Sequence, residues 1–582
     1  MKIKSLLIGM LACTALVGCS NDELIEDQNE NQVAKGDKAY LAVRLVNADA
    51  TGSRGTAGQT PFWFGTAEEN EVATTHFYFF NNGTAYNVDA DNEISKILSW
   101  NTNGTDASTG NNIEKVAEAL IVLEGLEQNT TPTEIVAVLN KPADMVLAGK
   151  SLEDLQKVLS TTIYNETNNF IMTNSTYKGT DVDNNFATQI LPNNFVKDEP
   201  DASLNNTNVV NIYVERLAAK VKVAVDSDKI TDTNEISLGT YTVKTGTGAE
   251  SPKELKIKIT GWGLNATTKN TYLIKSIDAT WADNKFTAFN WNDQTNHRSY
   301  WAKSTNYDDV NAVYPASFKD VTNKTDKDAS TGTDAANVTL NYVSWNELSQ
   351  TIGKSLYCTE NTNTSAILAP NYYSAATQVV VAAQTTEGTD LVRYNKTLYT
   401  ADGFMARVLN ELHLDIWKID TENSTDGNTA YKQLSAEDLQ VKNIYDGKVT
   451  IEVANSSTEW YTKSGNTYTK DTNGLLASRI AALAVEAEYY KSGMMHYVIP
   501  IEHLAGGKFA FVNNQPTLAE ADYGIVRNHF YNLTINKIEN LGTSVYDPNE
   551  DIIKPTIDNT LYFIGASINI LSWKIVNQSV DL

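Results

Sequence analysis

Apolar residues along this 582-residue chain fall mostly in short alternating runs. Near the start, Ala39, Leu41, Val43 and Leu45 share one face of an extended segment, with Tyr40, Ala42 and Arg44 opposite. Near the end, Ala566, Ile568 and Ile570 alternate with polar residues. At Leu571 the phase slips by one residue, and Leu571, Trp573 and Ile575 take over, which predicts a bulge or bend. A terminus this apolar needs burial, either in its own domain or against another molecule. Between these ends the pattern predicts strands over 73–80, 133–139, 169–174, 211–215, 220–225, 255–262, 271–275, 375–383, 496–504 and 530–538. Helices are expected over 112–124, 151–160, 403–412 and 475–487, the second capped by Ser151 with Glu153 and Asp154 near its positive end. Asn/Thr/Gly-rich tracts such as 101–112 and 323–337 read as long polar loops, and the class is all-β with a few short helices.

Charge narrows the partners. The formal charge is −25, from 46 Lys and Arg against 71 Asp and Glu, and such a surface repels phosphate backbones, so nucleic acid is not an expected partner. No catalytic or metal-binding spacing stands out among the six His, and no cofactor or metal is expected. His496 and His503 lie an odd number of residues apart on an expected strand and so point to opposite faces. Cys358 reads as a small buried residue. The aromatic stretch between Trp281 and Trp301 reads either as loop packing or as a glycan-binding platform.

The N-terminus has its own logic. Lys2 and Lys4 precede an apolar run over 6–17, too short to span a bilayer and laid out as a secretory signal over 1–18. Leu16-Val17-Gly18-Cys19 resembles the lipobox of bacterial lipoproteins, which implies cleavage before Cys19 and lipidation of its thiol. Residues 19–38 are acidic and read as a tether. Beyond the first strand, Ala50-Thr51-Gly52-Ser53-Arg54-Gly55-Thr56 sets one basic residue among small ones, a pattern that suits an extended protease substrate.

Three internal stretches then carry a resemblance: Val214-Glu215-Arg216-Leu217-Ala218-Ala219-Lys220-Val221, Tyr357-Cys358-Thr359-Glu360-Asn361-Thr362, and Val526-Arg527-Asn528-His529-Phe530-Tyr531-Asn532-Leu533-Thr534-Ile535. With the ending Leu571-Ser572-Trp573-Lys574 and Val580-Asp581-Leu582, they resemble the fimbrillins of Bacteroides-like bacteria, the type V pilins, and more narrowly the major subunit of the short, or minor, Porphyromonas-type fimbriae. The resemblance implies two transthyretin-like β-sandwich domains, over 39–205 and 206–582, and no enzyme activity. It implies an outer-membrane lipoprotein precursor cut between Arg54 and Gly55. The first strand, with Leu41, Val43 and Leu45, is then displaced. The donor strand of the next copy, over 566–582 with Ile568, Ile570, Leu571, Trp573 and Ile575, fills the groove. The implied partners are other copies of the chain and accessory fimbrial subunits at the cell surface, in adhesion, aggregation or colonisation. The rival reading is a monomeric surface lipoprotein that binds glycans.

Overall fold

The computed structural model describes residues 38–48, 65–86, 92–98, 113–124, 131–176, 186–196, 209–246, 250, 252–277, 302–315, 321–322, 333–334, 338–364, 366–368, 374–503, 510–512, 515–517, 523–553 and 574–581. The expected signal and nearly all of the tether, the boundary near Asn205 and the 281–301 aromatic stretch lie outside these residues.

The first sheet gathers β1 (Lys38–Ala48), β2 (Thr75–Asn81), β3 (Ile113–Glu124), β4 (Glu134–Leu139), β5 (Met172–Asn174), β6 (Phe195–Val196) and β7 (Val210–Arg216). Its order runs β6-β1-β7-β5-β4-β2, with β3 also on β1. Strand β2 is buried through Phe77, Tyr78, Phe79 and Phe80, so both of its faces are covered. The short helix α1 (Leu152–Gln156) starts at the expected cap, where Ser151 Oγ accepts from the Asp154 backbone N–H at 3.1 Å.

One expected helix is a strand. Val116, Ala117 and Leu120 in 112–124 suit a helical stripe, but this stretch is β3, paired with β1 along its length. Ala119-Leu120-Ile121-Val122-Leu123 explains the difference: Ile121 and Leu123 enter the first core, while Leu120 and Val122 are buried outside it. A run apolar on both faces suits a covered strand better than a helix with one solvent side.

The second sheet joins β8 (Ala219–Val225) to three later strands, and the third opens with β9 (Ile236–Lys244) and β10 (Pro252–Asn265). Then follow β11 (Ser355–Cys358), β12 (Gln378–Thr385), β13 (Leu391–Tyr394) and β14 (Thr397–Thr400), with helix α2 (Ala401–Leu412) capped by Thr400. Next come β15 (Ile416–Ile419), β16 (Tyr431–Gln433), β17 (Leu439–Tyr445), β18 (Lys448–Val453), β19 (Trp460–Ser464) and β20 (Thr467–Lys470). Helix α3 (Leu475–Leu483) precedes β21 (Ala487–Tyr490), β22 (Met494–Pro500), β23 (His529–Lys537) and β24 (Lys574–Asp581). The second sheet has the order β11-β8-β23-β24, and the third runs β17-β18-β21-β13-β14-β9-β10-β12-β22. These two sheets face each other across a core that includes Val221, Val223, Leu533 and Ile535 on one side and Trp262, Val379, Val381 and Ile499 on the other.

Other boundaries shift. The strand expected over 271–275 is paired only at Thr271–Tyr272. The helix expected over 475–487 ends at Leu483, and Ala487 opens β21. His503 lies beyond the end of β22 at Pro500, so its orientation does not follow from strand alternation; its Nδ1 meets the Tyr531 hydroxyl at 2.9 Å.

Gly261 sits at a register shift in the β10–β12 ladder, where a Cβ would lie 2.2 Å from the Leu348 carbonyl oxygen. Gly261→Ala is expected to lower unfolding free energy by about 1–3 kcal/mol through overpacking, read from urea denaturation.

Candidate functional site: the first strand and the junction of the cores

Strand β1 is held on both sides. It runs antiparallel to β3 from Lys38 opposite Glu124 to Ala48 opposite Ile113, with one shift after Asn47. On its other edge it runs parallel to β7, Val43 opposite Val210 and Leu45 opposite Ile212, and antiparallel to β6 at Tyr40 and Leu41. Leu41 and Val43 are fully buried in the first core. Arg44, on the opposite face, pairs with Glu118 of β3 at 3.0 Å. Among the described residues β3 pairs with no strand but β1.

The terminal strand β24 runs parallel to β23, from Lys574 opposite His529 to Val580 opposite Ile535, at the edge of the second sheet. This puts Ile575 opposite Phe530 in a ladder within its own chain. Cys19, Arg54, Gly55, Ile568, Ile570, Leu571 and Trp573 lie outside the described residues.

The three internal stretches singled out in the sequence meet in space. Strands β7 and β8 are separated by Leu217 and Ala218 alone, and the chain passes here from the first core to the second. Arg216, fully buried, donates from Nε to the Glu69 carbonyl at 2.9 Å, from Nη1 to Asn528 Oδ1 at 3.3 Å, and from Nη2 to the Asn70 side chain. Lys220 Nζ reaches Glu69 Oε1 at 2.5 Å, and the Tyr357 hydroxyl donates to the same oxygen. The Lys220 ammonium also sits 5.0 Å above the Phe530 ring. Arg527, fully buried, donates from Nε to Glu360 Oε1 at 3.1 Å and from Nη1 to the Leu273 carbonyl at 3.1 Å. Lys275 and Glu215, both fully buried, pair at 3.3 Å. The Asn528 backbone N–H donates to the Ala218 carbonyl at 2.6 Å.

Burial alone would push the Glu69 carboxyl up, but hydrogen bonds from Lys220 and Tyr357 outweigh it and hold the folded pKa below the ordinary 4.5. Burial pushes the Cys358 thiol up to about 12, which suits an inert packing residue. Among the described residues no group of three or more His, Cys, Asp or Glu could hold a metal ion, and no helix is long and apolar enough to cross a membrane.

A depressed carboxylate stabilises the fold above its unfolded pKa of about 4.5 and loses that contribution as pH falls through the lower folded value. Glu69→Gln is therefore expected to flatten the acid limb of the stability curve below about pH 4.5. At pH 7 it leaves the Lys220 ammonium buried without its carboxylate, an expected loss of about 3–5 kcal/mol, read from urea melts at both pH values.

No curated protein matches the chain. A structure from Bacteroides eggerthii, classed as a cell adhesion protein, is 12% identical over 94% of this chain and 99% of that one, with a TM-score of 0.31. A fimbrial assembly protein from Parabacteroides distasonis is 9% identical over 75% of this chain and 100% of that one, with a TM-score of 0.25. Overlaps this loose carry no argument about role. Residues 488–579, which span β22, β23 and most of β24, match the model of the major fimbrial subunit protein type IV, fimbrillin, C-terminal family. Over that segment the chain resembles the Bacteroides-type fimbrillins.

Proposed function

We propose that this chain is a structural subunit of a surface fimbria that polymerises by strand exchange after its first strand is cut away. The observation that carries the reading is the position of β1, a core-filling strand held between β3 and β7 and followed in sequence by the stretch that contains Arg54. A cut between Arg54 and Gly55 separates β1 covalently from the rest of the chain. Its departure uncovers the sites of Leu41 and Val43 and leaves two rows of backbone donors and acceptors without partners. An extended apolar segment from another copy supplies both kinds of partner, the strand-addition mode of recognition.

The donor in this reading is the segment 566–582. Among the described residues β24 is the edge strand of its sheet and pairs with β23 alone, so it can leave without parting any other described pair of strands. Burying five large apolar side chains at ~1.5–3 kcal/mol each contributes roughly 8–15 kcal/mol before ordering costs, an upper estimate that suits a slowly dissociating polymer. Upstream, the signal pattern and Cys19 suit a lipidated precursor delivered to the outer membrane, with the mature form in the fimbrium.

Two outcomes are expected in the native host. Arg54→Ala keeps β1 in place and abolishes polymer while the monomer stays folded; N-terminal sequencing of wild-type fimbriae should begin at Gly55, and a start upstream of Ala39 would sink the reading. Deletion of 566–582 should leave a cleavable chain that accepts a wild-type donor strand but extends no fibre, seen as loss of the boiling-sensitive ladder on gels. Fibres of normal length from the truncated chain would exclude this segment as donor.

A further inference from the structure

Residues 386–493 form an insertion between two neighbouring strands. The chain leaves β12 at Thr385 and returns at Met494 of β22, and these strands pair directly, with Gln384 opposite Met494. The insertion contains its own hydrophobic core, built from β13, α2, β18 and β21 with Ile416 and Leu476. Against that core lies a small sheet of order β16-β15-β19-β20. Ile416 and Trp460 turn one face of this sheet inward. The register puts Trp417 opposite Tyr461, Ile419 opposite Tyr431, and Lys463 opposite Tyr468, so Trp417, Tyr431, Tyr461, Lys463 and Tyr468 share the other face.

None of the four aromatic residues on that face belongs to the core beneath, and each is half-buried, chiefly in a cluster of its own. The Tyr431 and Tyr468 rings stack at 3.9 Å with an interplanar angle of 8°, Tyr431 meets Tyr461 edge-on at 5.1 Å, and Trp417 meets Tyr468 edge-on at 5.5 Å. The Lys463 ammonium lies 4.6 Å from the Trp417 ring centroid. Polar groups rim the cluster: Trp417 Nε1 donates to Asp415 at 2.8 Å, and the Tyr461 hydroxyl donates to Glu459 at 3.0 Å. A contiguous aromatic face outside the core is the kind of surface that marks a binding site.

We propose that this outer face binds a neutral oligosaccharide. Aromatic rings offer apolar surface to the C–H faces of sugar rings, Asp415 and Glu459 accept from hydroxyls, and Lys463 and Gln433 donate to them, the few fixed polar groups that orient a ligand. Charge selects the neutral class. On the patch Lys463 and Lys470 balance Asp415 and Glu459, while the chain as a whole, at −25, repels acidic sugars at longer range. The site is independent of strand exchange, because no described ladder joins the small sheet to β1 or β24.

The test uses the purified full-length chain on an immobilised panel of neutral hexose oligosaccharides and their sialylated counterparts. The strongest neutral binder is then titrated in solution by tryptophan fluorescence. Saturable binding of a neutral oligosaccharide is expected, with Trp417→Ala and Tyr468→Ala each weakening it about tenfold or more. The thermal midpoint should stay close to wild type in both, since neither ring is in the core. Lys463→Met provides a third variant, expected to weaken binding with the aromatic cluster intact. No binding across the neutral panel, preference for the sialylated members, or unchanged affinity in the three variants would each overturn the proposal.

Discussion

Charges buried where two cores meet must be paired, and that constraint organises this molecule. Taking an arginine or a carboxylate out of water costs several kcal/mol per ion, so each must find its partners in the folded chain. Arg216 finds them on Glu69, Asn70 and Asn528, and Arg527 on Glu360 and the 271–273 segment. These partners come from distant parts of the chain, so the set closes only when both cores are formed and correctly juxtaposed. A hydrophobic face already fixes register to within two residues; a buried guanidinium with several directed donors fixes orientation and distance as well.

The first strand obeys a second constraint. Because β1 lies between β3 and β7, it supplies core side chains and also bridges two strands that do not otherwise pair. A covalent extension at the start of the described chain thus completes the sheet from within. The terminal strand is different in kind: β24 sits at an edge and adds one ladder to β23. The two ends therefore differ in how much of the fold depends on them.

The strands were legible wherever one face was polar. Alternation located β1, β8 and β23 to within a few residues, because a half-covered strand must repeat with a period of two. It failed at β3, where Leu120 and Val122 are buried along with Ile121 and Leu123, so no polar face marks the period. Arg216, Lys220, Tyr357, Glu360 and Arg527 lie in the stretches that carried the resemblance, but Glu69 lies in none of them, and the meeting was not legible: Glu69 and Lys220 are 151 positions apart, and Arg216 and Asn528 are 312 apart. Only the folded backbone brings them together. The aromatic face was hidden for a related reason. Trp417, Tyr431, Tyr461 and Tyr468 are spread over separate strands with turns between, whereas the 281–301 stretch is dense in aromatic residues along the sequence itself.

Leu217 and Ala218 are the whole of the covalent step from β7 to β8, and both are fully buried. A linker of two packed residues has no slack. Tension applied along β7 passes into β8 without first straightening a loop, and the flanking Arg216 and Lys220 anchors oppose any hinge-like bending at that step. Under load, bonds within a sheet should part before this junction opens.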